Sequence, residues 1–65
     1  MDKTLLNKLP KKWHKFVKDI YKEGARYSMV IEFEDGFSRS IGDTRFRNLK
    51  DYAREIIEEN RNAEY

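Results

Sequence analysis

Between Pro10 and Gly24, lysines and apolar residues recur at intervals of three and four positions. At about 100° per residue, the lysines would lie on one side of a helix and the apolar side chains on the other. Proline suits the first position of a helix, and glycine suits the position just past its end. The pattern therefore predicts an amphipathic helix over 10–23. Its polar face would carry Lys11, Lys15, Lys18 and Lys22, and its apolar face would carry Trp13, Phe16, Val17, Ile20 and Tyr21.

A β-hairpin is expected after this helix. Residues 27–34 alternate apolar and polar side chains, which is typical of a half-buried strand. The Asp-Gly dipeptide at 35–36 is a strong turn signal, and a shorter apolar stretch ends at Ile41. The sequence therefore predicts a hairpin over 27–41.

The length of the turn decides which side chains share a face of this hairpin. A two-residue turn would place Phe33 and Phe37 on opposite faces. A three-residue turn with a left-handed glycine would pair Phe33 with Phe37, and Met29 with Ile41. We favour the longer turn because register follows the buried face. In this register Arg39 shares the apolar side and has to reach out at the edge.

A second apolar stripe with helical spacing predicts a helix over 46–60, preceded by the hairpin and followed by a frayed tail at 61–65. Residues 1–9 form a short lead-in. A chain of 65 residues is the size of one small domain. The expected fold class is α+β: a single domain, 1–65, of helix–β-hairpin–helix order, with both helices packed on one face of a two-stranded antiparallel sheet.

Charge is distributed unevenly along the chain. Residues 1–26 carry eight Lys/Arg and three Asp/Glu, whereas residues 27–65 carry six and nine, although the whole chain is only +2. The lysine stripe of the predicted helix over 10–23 is typical of a surface that contacts a phosphate backbone. It is equally typical of the solvated face of a helix whose other face is packed. Lysine in place of arginine disfavours base reading, so any contact would be to the backbone. The candidate binding residues are Lys11, Lys12, Lys15, Lys18, Lys22 and Arg26.

The chain has few of the residue patterns that carry out catalysis or bind metal ions. The chain has no cysteine and one histidine, His14, which the helical pattern places at the border of the apolar face. Ser38 and Ser40 belong to no nucleophile motif, and the acidic cluster at 32–35 lacks calcium-loop spacing. We therefore expect no enzymatic activity, no cofactor, no metal site and no small-molecule substrate.

These observations favour a non-catalytic intracellular regulatory protein that contacts a nucleic-acid backbone through its first helix. The main alternative is a protein-interaction module, such as a small adaptor or inhibitor of viral or phage type, that binds a partner or a second copy through a strand edge. A designed sequence without biological function is a further alternative. The chain shows no apolar run of membrane-spanning length and no signal-peptide pattern, so we expect no membrane partner and a cytoplasmic location.

Overall fold

Three antiparallel strands in chain order form the centre of the structure, a computed structural model in which residues 1–59 are described. The strands are β1 (Val17–Glu23), β2 (Arg26–Glu32) and β3 (Ser38–Asp43). A helical turn α1 (Lys3–Leu6) and a 3₁₀ segment (Lys11–Phe16) precede the sheet, and α2 (Phe46–Arg54) follows it, ending in a wider π-type turn (Glu55–Glu59). The α+β class is therefore confirmed. The predicted tail 61–65 and the last residue of the predicted helix 46–60 lie outside the described residues.

The predicted helix over 10–23 is wrong, and so is the two-stranded sheet. The first half of that segment is the 3₁₀ segment, and the second half is β1, which adds a third strand beside the hairpin. Pro10 lies just before the 3₁₀ segment with extended backbone, instead of opening an α-helix. The segment changes structure at Val17, where the last 3₁₀ turn ends.

The helical spacing of the apolar residues has two separate structural causes. Trp13 and Phe16 are three residues apart in a 3₁₀ segment, which repeats every three residues. Val17 and Ile20 are also three apart, and a β-bulge between Val17 and Asp19 inserts one extra residue into β1. The bulge places Val17 and Ile20 on the same face of the sheet. A helix-like pattern of apolar residues thus arises without an α-helix.

Gly24 turns the chain between β1 and β2 instead of ending a helix. Glu23 pairs directly with Arg26, so the loop contains only Gly24 and Ala25. Gly24 has a φ of +61°, which the tight turns of two-residue hairpins require and which glycine adopts without steric cost.

The predicted register of the second hairpin is confirmed. Met29 pairs with Ile41, and the amide of Phe33 donates to the carbonyl oxygen of Phe37 over 2.8 Å. Gly36 has a φ of +90°, as the three-residue turn requires. The strands extend slightly beyond the predicted 27–41, and Arg39 lies on the apolar side opposite Ile31.

The helical segments cover one face of the three-stranded sheet. A row of three paired residues, Ile20, Met29 and Ile41, crosses this face at its centre, and Leu49 and Ala53 of α2 are buried with it. The opposite face carries no helix among the described residues. The buried core consists of Leu5, Leu9, Trp13, Val17, Ile20, Met29, Ile31, Ile41, Leu49, Ala53 and Ile56.

Trp13 connects the 3₁₀ segment to the end of the second helix. Its ring is 1% exposed, its Nε1–H donates to a carboxylate oxygen of Glu58, and the Arg54 guanidinium lies 5.6 Å from the ring centroid. Lys12 Nζ lies 3.5 Å from the other oxygen of Glu58. The 3₁₀ segment is thereby fixed to the end of the second helix.

Two alanine substitutions distinguish β1 from the helix that the sequence predicts. Ile20 is 0% exposed and Tyr21 is 40% exposed, whereas a helix would bury both. Ile20→Ala should lower the free energy of unfolding by about 2–5 kcal/mol, because it leaves a cavity in the core. Tyr21→Ala should lower it by less than about 1 kcal/mol. Urea denaturation followed by Trp13 fluorescence measures both values, and equal losses would contradict the strand.

Candidate functional site

The predicted lysine stripe is not formed. Because the segment is not an α-helix, its cations are distributed over two elements and two faces. Lys18 and Lys22 lie on opposite faces of β1, since Lys18 contacts Glu32 while Lys22 pairs with Tyr27 on the helical side. The other candidates lie elsewhere: Lys11, Lys12 and Lys15 in the 3₁₀ segment, and Arg26 at the start of β2.

Two of the candidate lysines are paired with carboxylates. Lys12 Nζ lies 3.5 Å from Glu58, and Lys18 Nζ lies 3.5 Å from Glu32. All four side chains are at least one-third exposed, so each pair contributes little to stability. The pairing nevertheless neutralises the local charge that an incoming anion would meet.

Arg26 lies flat on the uncovered face of the sheet. A Cβ atom placed on Gly42 would come within 2.9 Å of Arg26 Nε, so the absence of a side chain at Gly42 makes room for the guanidinium. Arg26 also acts electrostatically on Asp43, the next residue along β3. The positive charge of Arg26 therefore lies beside β3 on the uncovered face of the sheet.

A basic–aromatic cluster, consisting of Lys8, Lys22, Tyr27 and Phe46, lies at one end of the sheet. Tyr27 and Phe46 make an edge-to-face contact with centroids 5.4 Å apart. Lys8 Nζ lies 5.7 Å from the centroid of Phe46, and Lys22 Nζ lies 5.3 Å from that of Tyr27. These distances are typical of cation–π contacts. Four different segments of the chain contribute to the cluster.

Sequence reasoning identified Lys22 but not the cluster. Lys8, Tyr27 and Phe46 are not among the candidate binding residues that the sequence gives. Tyr27 meets Lys22 across a strand pair, and it meets Phe46 through the packing of α2 on the sheet. Spacing along the chain does not predict these contacts, because the first depends on β1 and the second on how α2 packs on the sheet.

Asp43 holds the start of α2 against the sheet beside this cluster. Its Oδ1 accepts hydrogen bonds from the Arg45 amide over 2.8 Å and from Asn48 Nδ2 over 3.3 Å. Its Oδ2 accepts one from the Tyr52 hydroxyl over 3.3 Å. Three donors from the loop and from α2 therefore converge on a single carboxylate.

These contacts shift two pKa values. The Arg45 amide hydrogen bond is the main cause that lowers the pKa of Asp43; partial burial opposes it, and Asn48, Tyr52 and Arg26 add to the lowering. The pKa of Tyr52 is raised, first by burial and then by the charge of Asp43. The folded state therefore favours an ionised Asp43 beside a neutral Tyr52.

Lys15 belongs to a different environment. Its Nζ lies 5.1 Å from the centroid of Phe16, and Phe16 packs against Phe33 with centroids 5.1 Å apart. Glu34 and Asp35 line the same shallow hollow as Lys15. The acidic cluster of the hairpin turn thus lies close to this lysine, which makes the hollow a poor anion site.

The structure of residues 1–59 bears on the metal and membrane predictions and on the environment of His14. Within residues 1–59 no group of three His, Asp or Glu side chains is placed to hold a metal ion. His14 is half-buried, and its Nε2 lies 3.2 Å from the Leu9 carbonyl oxygen, to which it donates. No helix in this part of the chain is long and apolar enough to cross a membrane. The expected absence of enzymatic activity stays a prediction.

No family model, no curated protein and no solved structure matches this chain. The function therefore has to be inferred from the geometry of the chain's own residues.

Replacing Asp43 by asparagine tests its role at the start of α2. Because folding lowers the pKa of Asp43, its ionised form stabilises the fold above the unfolded value near 3.8. This contribution is lost as the pH falls through the lower, folded pKa. Asp43→Asn should reduce stability at pH 7, and its stability should fall less than that of the native chain between about pH 5 and pH 2. Urea midpoints across this range measure the effect.

Asp51→Asn is the matched control, because it removes an exposed carboxylate that contacts only Arg54 among residues 1–59. A native-like pH dependence is expected for this variant. Identical pH dependence of Asp43→Asn and the native chain would contradict the role of Asp43.

Proposed function

We propose that this protein is a non-catalytic binding protein that contacts the phosphate backbone of a nucleic acid through the basic–aromatic cluster. The observation that carries the proposal is the convergence of Lys8 and Lys22 on the Tyr27–Phe46 pair. The two lysines are 14 residues apart in the sequence, and both are exposed. Each ammonium group thus lies over one ring of a contacting aromatic pair, an arrangement that suits an extended anion.

The ion pairs of the molecule support this choice of site. Among residues 1–59, neither Lys8 nor Lys22 takes part in an ion pair, whereas Lys12 and Lys18 do. An anion that approaches the cluster meets positive charge without first displacing a carboxylate. Asp43, the nearest carboxylate along the strand pairing, already accepts three hydrogen bonds.

α2 begins at the cluster, and the Asp43 carboxylate already accepts a hydrogen bond from the Arg45 amide just before it. Phe46 is the first residue of α2, and Arg45 before it makes no side-chain cap. The first amides of a helix without such a cap favour negative charge nearby. Lys50 follows Phe46 by four residues, so it lies on the same side of the helix one turn further along.

The geometry favours contacts to the backbone over base reading. Tyr27 and Phe46 are half-buried and the lysines lie over their faces, so the rings hold the lysine stems and are not free to stack on bases. Lysine ammonium groups act as point charges that neutralise phosphates without discriminating among bases. The binding should therefore depend steeply on salt and weakly on sequence. A cytoplasmic location, as expected from the sequence, belongs to the same proposal.

Salt-dependent binding to duplex DNA tests the proposal. Each phosphate contact contributes about −0.9 to the slope of log K against log salt. Lys8→Gln combined with Lys22→Gln should therefore make the slope shallower by about 1.8 and weaken binding at low salt. Fluorescence anisotropy of a labelled random-sequence duplex, titrated at several salt concentrations between about 50 and 200 mM, measures the slope.

Lys12→Gln combined with Lys18→Gln is the matched control. It removes the same net charge from two lysines that are already paired with carboxylates. This variant should change the slope by less than about 0.5, and circular dichroism should show that both variants are folded. Equal weakening by the two variants would show general charge attraction, and no binding by the native chain at 50 mM would overturn the proposal.

A further inference from the structure

The two edges of the sheet are protected very differently. On β1 the outward-facing amide of Ile20 donates to the Asp19 side chain over 2.9 Å, and its carbonyl accepts from the Asp2 amide over 2.8 Å. The N-terminal segment therefore covers the middle of this edge. Covering an edge in this way prevents another strand from pairing with it.

Within the described part of the chain, the outer edge of β3 has no such cover. Ile20 directs its backbone groups away from β2, so Ile20 and Met29 form a non-hydrogen-bonded pair. The backbone groups of Met29 then point toward β3, where Met29 and Ile41 hydrogen-bond to each other. The backbone groups of Ser38, Ser40 and Gly42 then point outward from β3. Within residues 1–59 no backbone hydrogen bond from another segment reaches these outward groups. The strand has no proline or lysine, and the charged residues that can protect its edge are Arg39 and Asp43, both on the helical side.

Arg39 adds a second observation at the same edge. It lies on the helical side of β3, opposite Ile31, and is half-buried. It takes part in none of the ion pairs or side-chain hydrogen bonds found within residues 1–59. A half-buried guanidinium of this kind is stabilised by a carboxylate brought to it from outside the edge.

We propose that β3 pairs antiparallel with β3 of a second copy of this chain, with Ile41 opposite Ile41 at the two-fold axis. In this register the outward groups of Ser40 meet those of Gly42 in the other copy, and each such pair exchanges two hydrogen bonds. Arg39 of each copy then faces Asp43 of the other. The result is a continuous six-stranded sheet.

Neighbouring registers are less favourable. Sliding one strand by two residues in one direction places Arg39 opposite Ile41. Sliding it by four residues in the same direction places Arg39 opposite Arg39 of the other copy. Sliding it by two residues in the other direction places Asp43 opposite Ile41. Like charges directly opposite each other are destabilising, and opposite charges are stabilising. Only the proposed register pairs every charge of the strand with an opposite one.

Asp43 can accept this additional contact. A carboxylate has about four acceptor positions, and the three hydrogen bonds from Arg45, Asn48 and Tyr52 leave one of them open. On the uncovered face, the facing residues of β3 are serine and glycine, and the Arg26 guanidinium lies over Gly42. Charge complementarity between Arg39 and Asp43 therefore favours a second copy at this edge. The proposed interface is the outer edge of β3, which adjoins the basic–aromatic cluster at Asp43, and it does not depend on nucleic-acid binding.

Sedimentation equilibrium tests the proposal. The native chain should form a weak dimer, populated at protein concentrations up to about 1 mM, because the interface is small. Ser40→Pro removes an outward amide from each copy and leaves the hydrogen bonds to β2 intact, so it should raise the dimer dissociation constant at least about tenfold. Arg39→Glu, which places like charges opposite each other, should also weaken the dimer.

Single cysteines test the register. The chain has no cysteine, so any disulfide in a single-cysteine variant joins two copies. Facing residues at a non-hydrogen-bonded pair have Cα atoms about 4.5 Å apart, within the range for disulfides. Ile41→Cys should therefore oxidise readily to a covalent dimer, and Ser40→Cys, which faces Gly42, should do so much more slowly.

Three results would overturn the proposal. They are a native chain that is monomeric at 1 mM, a dimer that survives both Ser40→Pro and Arg39→Glu unchanged, and faster cross-linking of Ser40→Cys than of Ile41→Cys. Circular dichroism of each variant confirms that it is folded. If Ser40→Pro does not fold, Arg39→Glu and the cysteine pair decide the question.

Discussion

The register of the row formed by Ile20, Met29 and Ile41 is the constraint on which the rest of the structure depends. Ile20 and Met29 are fully buried and Ile41 nearly so, and the three are paired across all three strands. A slip of one residue in any strand would move its apolar set to the uncovered face. Two glycines with positive φ, Gly24 and Gly36, close the two turns that set this register. The position of every other element follows from this row.

The second half of the chain could be predicted because its local signals agree with one another. The Asp-Gly turn, the alternation of apolar residues and the position of Gly36 all favour one register, and the structure has it. The apolar stripe that begins at Phe46 agrees with α2. Only the change from the α-helix to the π-type turn at Glu55 departs from the predicted helix within the described residues.

The helix over 10–23 is predicted wrongly because two irregular features of the first half of the chain together produce a regular spacing of apolar residues. The period of the 3₁₀ segment and the bulge at Val17 together reproduce the spacing of an amphipathic α-helix. Gly24 suits the end of a helix and a two-residue turn equally well. The candidate site inherited this error, since the lysine stripe existed only on the predicted helix. Lys8 could not be found from the sequence, because it meets Phe46, 38 residues later, only in the folded chain.

The bond between Trp13 and Glu58 has a consequence for the order in which the molecule assembles. The two residues are 45 positions apart, whereas the strands are joined by loops of two and five residues. Closing a short loop costs less conformational entropy than closing a long one. From the unfolded chain, bringing the 3₁₀ segment against the end of the second helix therefore costs more closure entropy than forming either strand connection. The sheet is a local structure, and the single tryptophan reports the step that closes the helical layer over it.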